Sequence, residues 1–271
     1  MKPDPISPEA FRRKFSGSLT RAERAAQLCV KQPTSGAVHE ARISIRKVMA
    51  AVSLMPREFR ADRMTRKAIK RLRLFYKACA ETRDIDTMVR TLSDRLTYGD
   101  VGSIIRDLSD RRSLLVASLV RSGDKVKELR MPHIGEVTEK RLRKRLSKVL
   151  LERAERAVKF YKAAAINESQ LTDLHKLRKE CRRIMYLLGY ADQGGALKTL
   201  KAVLEDARTR LGSIRDDDLL LAVLRSAKQN APIKLVEALS ASRHAKYVRF
   251  FTGPRTETGG HLLMRLMRKL K

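Results

Sequence analysis

The 271 residues contain no tryptophan, and phenylalanine and tyrosine bring the aromatics to just 5 %. Readers of single-stranded nucleic acid stack bases on aromatic platforms, so that mode of recognition has little to work with here. Cysteine occurs three times, at Cys29, Cys79 and Cys181, with no C-x-x-C pair. No Cys/His cluster has zinc spacing, which excludes a zinc finger or ribbon. The odd count argues for a reducing compartment and against secretion. No run of about 18 apolar residues is present, so nothing reads as a transmembrane helix. The opening MKPDPISPEAFRRKF has no apolar core of a signal peptide, and the expected location is the cytoplasm. Almost no segment alternates with the period of a strand. Acidic groups are scarce too: 30 Asp and Glu against 60 Lys and Arg leave a formal net charge of +30.

Such an excess of one sign repels itself in a compact state and points to a polyanionic partner. Nucleic acid, an anionic membrane surface and an inorganic polyanion all qualify. Hydrophobic residues make up 43 %, so the chain has the material for a core and is not a disordered basic tail. Catalysis has less support. GGALKTL at Gly194 lacks both the first glycine of a phosphate-binding loop and the glycine before its lysine. No acidic constellation suggests a two-metal site. No cofactor is expected, and an enzyme acting on polyphosphate ranks third among the function classes.

Helical signals fill the chain. Ser7-Pro8-Glu9 starts a first helix running toward Val30. Others are expected at 38–55, at 62–80, from Thr82, at 101–121, at 137–165, and near 170–189, 195–211, 216–229 and 233–251. The segment RSGDKVKELRMPHIGE, with Gly123, Pro132 and Gly135 as breakers, is the junction. The expected halves are 1–130 and 131–271, the second ending in a short basic amphipathic tail, LLMRLMRKLK. That tail is too short to anchor strongly to a membrane surface alone.

The halves repeat each other. Shifting VHEARISIRK by 136 residues brings His39 onto His175, Arg42 onto Arg178, Arg46 onto Arg182 and Lys47 onto Arg183. Val38, Ala41, Ile45, Val48 and Met49 fall on Leu174, Leu177, Cys181, Ile184 and Met185. A second marker recurs after a slightly shorter spacer: RDID at Arg83 and RDDD at Arg215. Cationic face, apolar face and downstream marker recurring together indicate duplication.

At about 100° per residue, His39, Arg42 and Arg46 stack within roughly 60° of arc. The apolar positions fill a separate arc and make core. The third helix carries a longer stripe: Arg63, Arg66, Lys67, Lys70, Arg73 and Lys77, without interleaved acids. Solvated faces usually mix signs, so a single-signed stripe reads as a partner surface. The matching second-half helix offers Lys198, Lys201 and Arg208, interrupted by Glu205. The long helix from 137 adds Arg141, Lys144, Arg145, Lys148, Lys159 and Lys162. A histidine beside arginines can cap a helix start; beside a polyanion it gains a proton and donates. For the RDxD markers the structural reading prevails: an Asp in a helix first turn, or an Arg–Asp clamp between helices. Magnesium on Asp84, Asp86, Asp216 and Asp218 is the weaker reading.

The H-x2-R-x3-R-[KR] helix, the RDxD marker, the duplication and the basic all-helical character resemble the CHAD domain, the conserved histidine α-helical domain, from about Ser7 to Phe251. The resemblance implies an all-α fold of two bundles, about four to five helices each, related by a pseudo-two-fold axis with a basic groove or pore between them. It implies binding of inorganic polyphosphate and, for some members, association with polyphosphate granules. The implied ligands are His39, Arg42, Arg46, Lys47, His175, Arg178, Arg182 and Arg183. The charge stripes add Lys67, Lys70, Arg73, Lys77, Lys198 and Lys201. Many relatives carry a triphosphate-tunnel domain in front. This chain has no E-x-E-x-K motif near its start, so a stand-alone domain is expected. RNA binding is the alternative function.

Overall fold

The computed structural model describes residues 7–95, 101–126, 129, 131, 137–191, 198–227, 231–252 and 264. Every regular element among them is an α-helix. They are α1 (Pro8–Lys31), α2 (Ser35–Leu54), the short α3 (Arg57–Ala61), α4 (Arg63–Ser93), α5 (Gly102–Asp124), α6 (Glu139–Ile166), α7 (Leu171–Ala191), α8 (Lys198–Ser226) and α9 (Ile233–Thr252). Two compact units form: one spans Ser7–Leu142, and the other begins at Arg143.

In the first unit α1 packs on α2 and α5, and α4 packs on the same two helices. The start signals are those the residues announce. Ser7 Oγ accepts from Ala10 N, Thr34 Oγ1 from Ala37 N at 3.2 Å, and Asp62 Oδ2 from Thr65 N at 2.7 Å. Each cap satisfies an N–H that the first turn would otherwise leave open. Phe11, Phe75, Ile45, Leu54, Leu72, Leu92 and Leu119 are fully buried between the helices. The apolar arc of α2, Val38, Ala41, Ile45 and Val48, is buried as its spacing requires.

Gly123 is not a breaker. It lies in the last turn of α5, where an added Cβ would stand 2.5 Å from Val30 Cγ2 and 3.0 Å from Phe75 Cε2. The absent side chain is what lets α5 approach α1 and α4. Pro132, Gly135 and nearly all of the basic tail lie outside the described residues.

In the second unit α8 packs on α7 and α9. Helix α6 joins α9 through Tyr161 against Phe251 at 5.2 Å and through the Tyr247 hydroxyl donating to Ala164 O at 2.6 Å. It joins α7 through Arg153 and the buried Glu180 at 3.2 Å. Leu174, Leu177, Cys181 and Ile184 are buried, matching their counterparts on α2.

Both RDxD markers overturn an expectation. The expected third and fourth helices are one continuous helix, α4, and the expected pair at 195–211 and 216–229 is likewise one, α8. Asp84 and Asp216 therefore sit mid-helix and cap nothing. Neither marker contains a breaker, and Thr82 bonds back to Ala78 O at 3.0 Å without stopping the helix. The clamp reading holds instead for the last residue of each marker. Arg112 on α5 donates Nε–H to Asp86 Oδ1 at 2.6 Å and an Nη2 hydrogen to Pro33 O at 2.7 Å. Arg243 on α9 donates Nε–H to Asp218 Oδ1 at 2.9 Å and an Nη2 hydrogen to Glu168 O at 3.0 Å. One guanidinium in each unit thus ties three chain segments: a long helix, its successor, and the turn before the histidine helix.

Removing one partner from a buried charge pair leaves the other uncompensated and costs about 3–5 kcal/mol. Arg243→Met should therefore unfold at clearly lower urea than the parent. The more exposed Arg112→Met should fall between the two. Equal midpoints in urea melts followed by circular dichroism would remove the clamp's structural role.

Candidate functional site

In the first unit α2 presents His39, exposed, then Arg42 and Arg46, both half-buried. The apolar arc fixes their direction: with Ala41 and Ile45 in the core, residues 39, 42 and 46 lie toward one edge. That edge meets α4. Arg46 donates Nε–H at 3.0 Å and an Nη2 hydrogen at 2.9 Å to the hydroxyl of Tyr76, with its guanidinium 5.2 Å from the ring centroid. Arg42 bonds the same hydroxyl. Helical spacing assigns Tyr76 to the apolar side of α4, yet it is half-buried and holds the two arginines. Phe75, the preceding residue, takes the core position.

Arg83, from the first RDxD marker, completes the cluster. Its Nη1 donates to Ser35 Oγ, and its charge, with those of Arg42 and Arg46, adds to partial desolvation in pushing the His39 imidazole toward the neutral form. Burial and then the neighbouring charge of Arg46 lower the pKa of Arg42, against the opposing pull of Tyr76 and Asp84. Arg42 Nε is buried without a hydrogen-bond partner among the described residues. Four cationic or protonatable side chains thus crowd one edge of α2 and α4, with Asp84 opposing them. Sequence reading missed Arg83 as part of this cluster; the recurrence of the marker was the available signal.

The stripe on α4 is exposed as expected at Arg63, Arg66, Lys67, Lys70, Arg73 and Lys77. Lys67, Lys70 and Arg73 make no ion pair among the described residues. Lys77 lies 3.9 Å from Glu81, a solvated contact of little energetic weight.

The second unit repeats the column with different surroundings. His175, Arg178 and Arg182 are half-buried on α7. Arg215 of the second marker reaches the histidine, Nη1 to Nε2 at 3.1 Å. Asp218 Oδ2 stands 3.5 Å from the same nitrogen. Burial foremost, then the charges of Arg215, Arg178, Lys179 and Arg243, push the His175 pKa down to about 3. Because a guanidinium can only donate, Nε2 is the acceptor and His175 is neutral. In the unliganded protein both imidazoles are thus pushed toward the neutral form; the expected protonation is one against bound phosphate. Cations already crowd the imidazoles.

Arg183 has an acidic neighbour on its own helix. It pairs at 2.5 Å with Glu180, which Arg153 contacts as well. Its counterpart Lys47 is half-buried beside Ser44, the residue that stands where Glu180 does in the repeat. On α8, Lys198 is exposed and Lys201 half-buried. The register that aligns Arg83 with Arg215 puts Ala202, Glu205 and Thr209 where α4 has Lys70, Arg73 and Lys77. Glu205 pairs with Arg208, so α8 carries no continuous stripe. In that register Arg208 also replaces Tyr76.

Among the described residues no group of His, Cys, Asp and Glu is placed to hold a metal ion. Asp86 and Asp218 serve the clamps instead. No described helix is long and apolar enough to cross a membrane.

The family model for the CHAD domain matches residues 15–225. The chain belongs to the CHAD domain family. The CHAD domain from the plant Ricinus communis, a crystal structure, matches with a TM-score of 0.59 at 13 % identity, covering 100 % of this chain and 94 % of that one. PptA from Streptomyces chartreusis matches with a TM-score of 0.60 at 14 % identity, covering 98 % of this chain and 100 % of that one. At such identities the likeness establishes the all-α fold. Comparison with curated proteins gives no match. The matched segment of this CHAD protein ends before α9, yet α9 supplies Arg243, the clamp of the second unit.

A histidine held neutral when folded and protonated when unfolded makes stability fall with acid. With the folded pKa lowered to about 3, the unfolded chain binds the extra proton between the ordinary value of 6.5 and that point. The contribution is intact above 6.5 and lost as pH falls toward 3. Its slope approaches about 1.4 kcal/mol per pH unit. Urea melts from neutral to acid pH should show a shallower loss for His175→Gln than for the parent. Parallel curves would mean that His175 is not buried neutral.

Proposed function

We propose that this CHAD protein binds inorganic polyphosphate without turning it over. The observation that carries the reading is Arg42: a half-buried guanidinium, crowded by Arg46, with a buried Nε lacking a partner. Such a group raises the energy of the empty protein and is relieved by an anion. Polyphosphate is a chain of tetrahedral phosphates without bases, so its reader needs donors and positive charge along a track. Arg42, Arg46 and Arg83 supply forked donors in the first unit, and Arg178, Arg182 and Arg215 supply them in the second. Lys67, Lys70, Arg73 and Lys77 extend the positive track along α4. Tyr76 is a positioning residue, holding Arg42 and Arg46 on one hydroxyl.

The scarcity of aromatic side chains supports polyphosphate over single-stranded RNA. In competition near physiological salt, medium-chain polyphosphate should displace duplex DNA and RNA of equal charge, with affinity falling steeply as salt rises. Tighter binding to RNA would transfer the function to nucleic acid. Replacing Arg42 and Arg46 together with Ala should weaken polyphosphate binding by about 5- to 100-fold, and so should replacing Arg178 and Arg182. This range reflects charged hydrogen bonds weakened by partial solvent screening. Calorimetric titration with circular dichroism as folding control decides it: helical double mutants that bind like the parent would make these columns ordinary solvated faces.

No group placed to hold a metal ion accompanies these cations among the described residues. With magnesium or manganese, the protein should neither shorten polyphosphate nor pass phosphate to a nucleotide. Turnover abolished by Asp84→Asn or Asp216→Asn would give the RDxD markers a catalytic role.

A further inference from the structure

The imidazole of His175 stands between two groups that ask opposite things of one nitrogen. Arg215 Nη1, at 3.1 Å, requires Nε2 to accept. Asp218 Oδ2, at 3.5 Å, is buried without a hydrogen-bond partner and requires Nε2 to donate. Asp218 is only 8 % exposed, and its other oxygen is committed to Arg243. Its own shift is upward, caused first by burial and opposed by Arg243. An acceptor oxygen therefore stands at Oδ2 without a donor. A single proton on Nε2 supplies it, provided that Arg215 has somewhere else to go.

The surroundings of His175 come from three helices and a turn. On α7, Arg178 and Lys179 add positive charge. Arg215 and Asp218 face it from α8, and Arg243 adds positive charge from α9. In the turn before α7, Glu168 is taken by Arg243 and by His244. Asp217, beside Asp218, is taken by Lys246 and Ser242. After burial, the charges that act most on the imidazole are therefore those of cations: Arg215, Arg178, Lys179 and Arg243. An arriving phosphate oxygen reverses that balance.

We infer that His175, Arg215 and Asp218 form a proton-coupled latch in which a phosphate that draws Arg215 away from the imidazole lets Nε2 take up a proton from solvent and donate it to Asp218 Oδ2. The step moves one proton from water to Nε2 and makes or breaks no other covalent bond. It names the regulation of the proposed polyphosphate site and rests on that reading. The consequence is linkage: if binding takes up a proton, acid tightens binding. The first unit lacks the device. Its Asp86 also has a buried, unpartnered Oδ2, but Arg83 bonds Ser35 and His39 is exposed.

Calorimetry in buffers of different ionisation enthalpy measures the protons taken up. Long-chain polyphosphate is the probe, because its internal phosphates stay ionised and its few end groups cancel between proteins. At about pH 6, the parent should take up roughly 0.3–1 more proton per bound site than His175→Gln. Asp218→Asn, which keeps an oxygen for Arg243, should lose the same increment. Equal uptake by parent and His175→Gln, with both binding, overturns the latch and leaves polyphosphate binding standing. If neither binds polyphosphate, the proposed function falls and the latch with it. Should a variant lose its helicity, the His175 imidazole followed by carbon NMR in the parent decides alone. Its titration should move to higher pH on adding polyphosphate, and identical titrations with and without it sink the inference.

Discussion

One guanidinium in each unit sets where everything else stands. Arg112 and Arg243 each bridge a carboxylate on the long marker helix and a carbonyl in the turn before the histidine helix. The carbonyl end matters most for function. It fixes the entry of α2 and of α7, and a helix entry fixes both the height and the facing of every side chain that follows. His39 and His175 lie within the first two turns after that point. A planar, permanently charged fork suits this task because it meets two acceptors in fixed directions, which a lysine cannot do. A buried pair of this kind often adds little net stability, since desolvation offsets attraction. Its contribution here is to register: three segments meet in one geometry and not in neighbouring ones.

With register fixed, the helices can carry a charge distribution that would otherwise push them apart. The core side is conventional, with small and branched apolar residues packed between four long helices in each unit. The opposite edges hold cations of one sign at distances where like charges repel. The chain manages this in three ways. Arginines share an acceptor, as Arg42 and Arg46 share Tyr76. Imidazoles are pushed toward the neutral form, as at His39 and His175. Stripe lysines stay exposed, where water screens them. Each device can be reversed by an anion, which is why the unliganded arrangement itself argues for a polyanionic partner.

Much of this was legible in the residues. The all-helical class, the buried arc of α2 and the exposed stripe of α4 follow from periodicity and charge. The helix breaks beside the markers were misplaced, because Thr82, Arg83 and Asp84 carry start-like chemistry without any breaker to end the preceding turns. The clamp was legible as a possibility, but its arginines were not. Arg112 and Arg243 stand among many other arginines, and their partners lie 26 and 25 residues upstream. Only that near-equal separation in both halves distinguishes them, and it slips by one residue. Tyr76 was misassigned because an amphipathic ring satisfies the apolar pattern while its hydroxyl serves the arginines. The state of the histidines could not be read at all. It depends on Arg83 and Arg215, which approach from another helix.

The two units keep the same skeleton and have parted in chemistry, and the departures are correlated. Where α4 has Lys70, Arg73 and Lys77, α8 has Ala202, Glu205 and Thr209, so α8 carries no counterpart of the α4 stripe. Where α2 has Ser44, α7 has Glu180, which engages Arg183 and Arg153. The first unit therefore carries an exposed stripe beside its histidine column, and the second sets fixed pairs around a more buried histidine. Uncommitted surface charge acts at a distance and weakens with salt. Buried, paired charge acts on contact and responds to protons. If the proposed binding holds, units that differ in this way would answer one polyanion differently: the α4 stripe through attraction that depends on ionic strength, and the buried His175 cluster through contact that depends on pH. Identical halves would have given the first response twice.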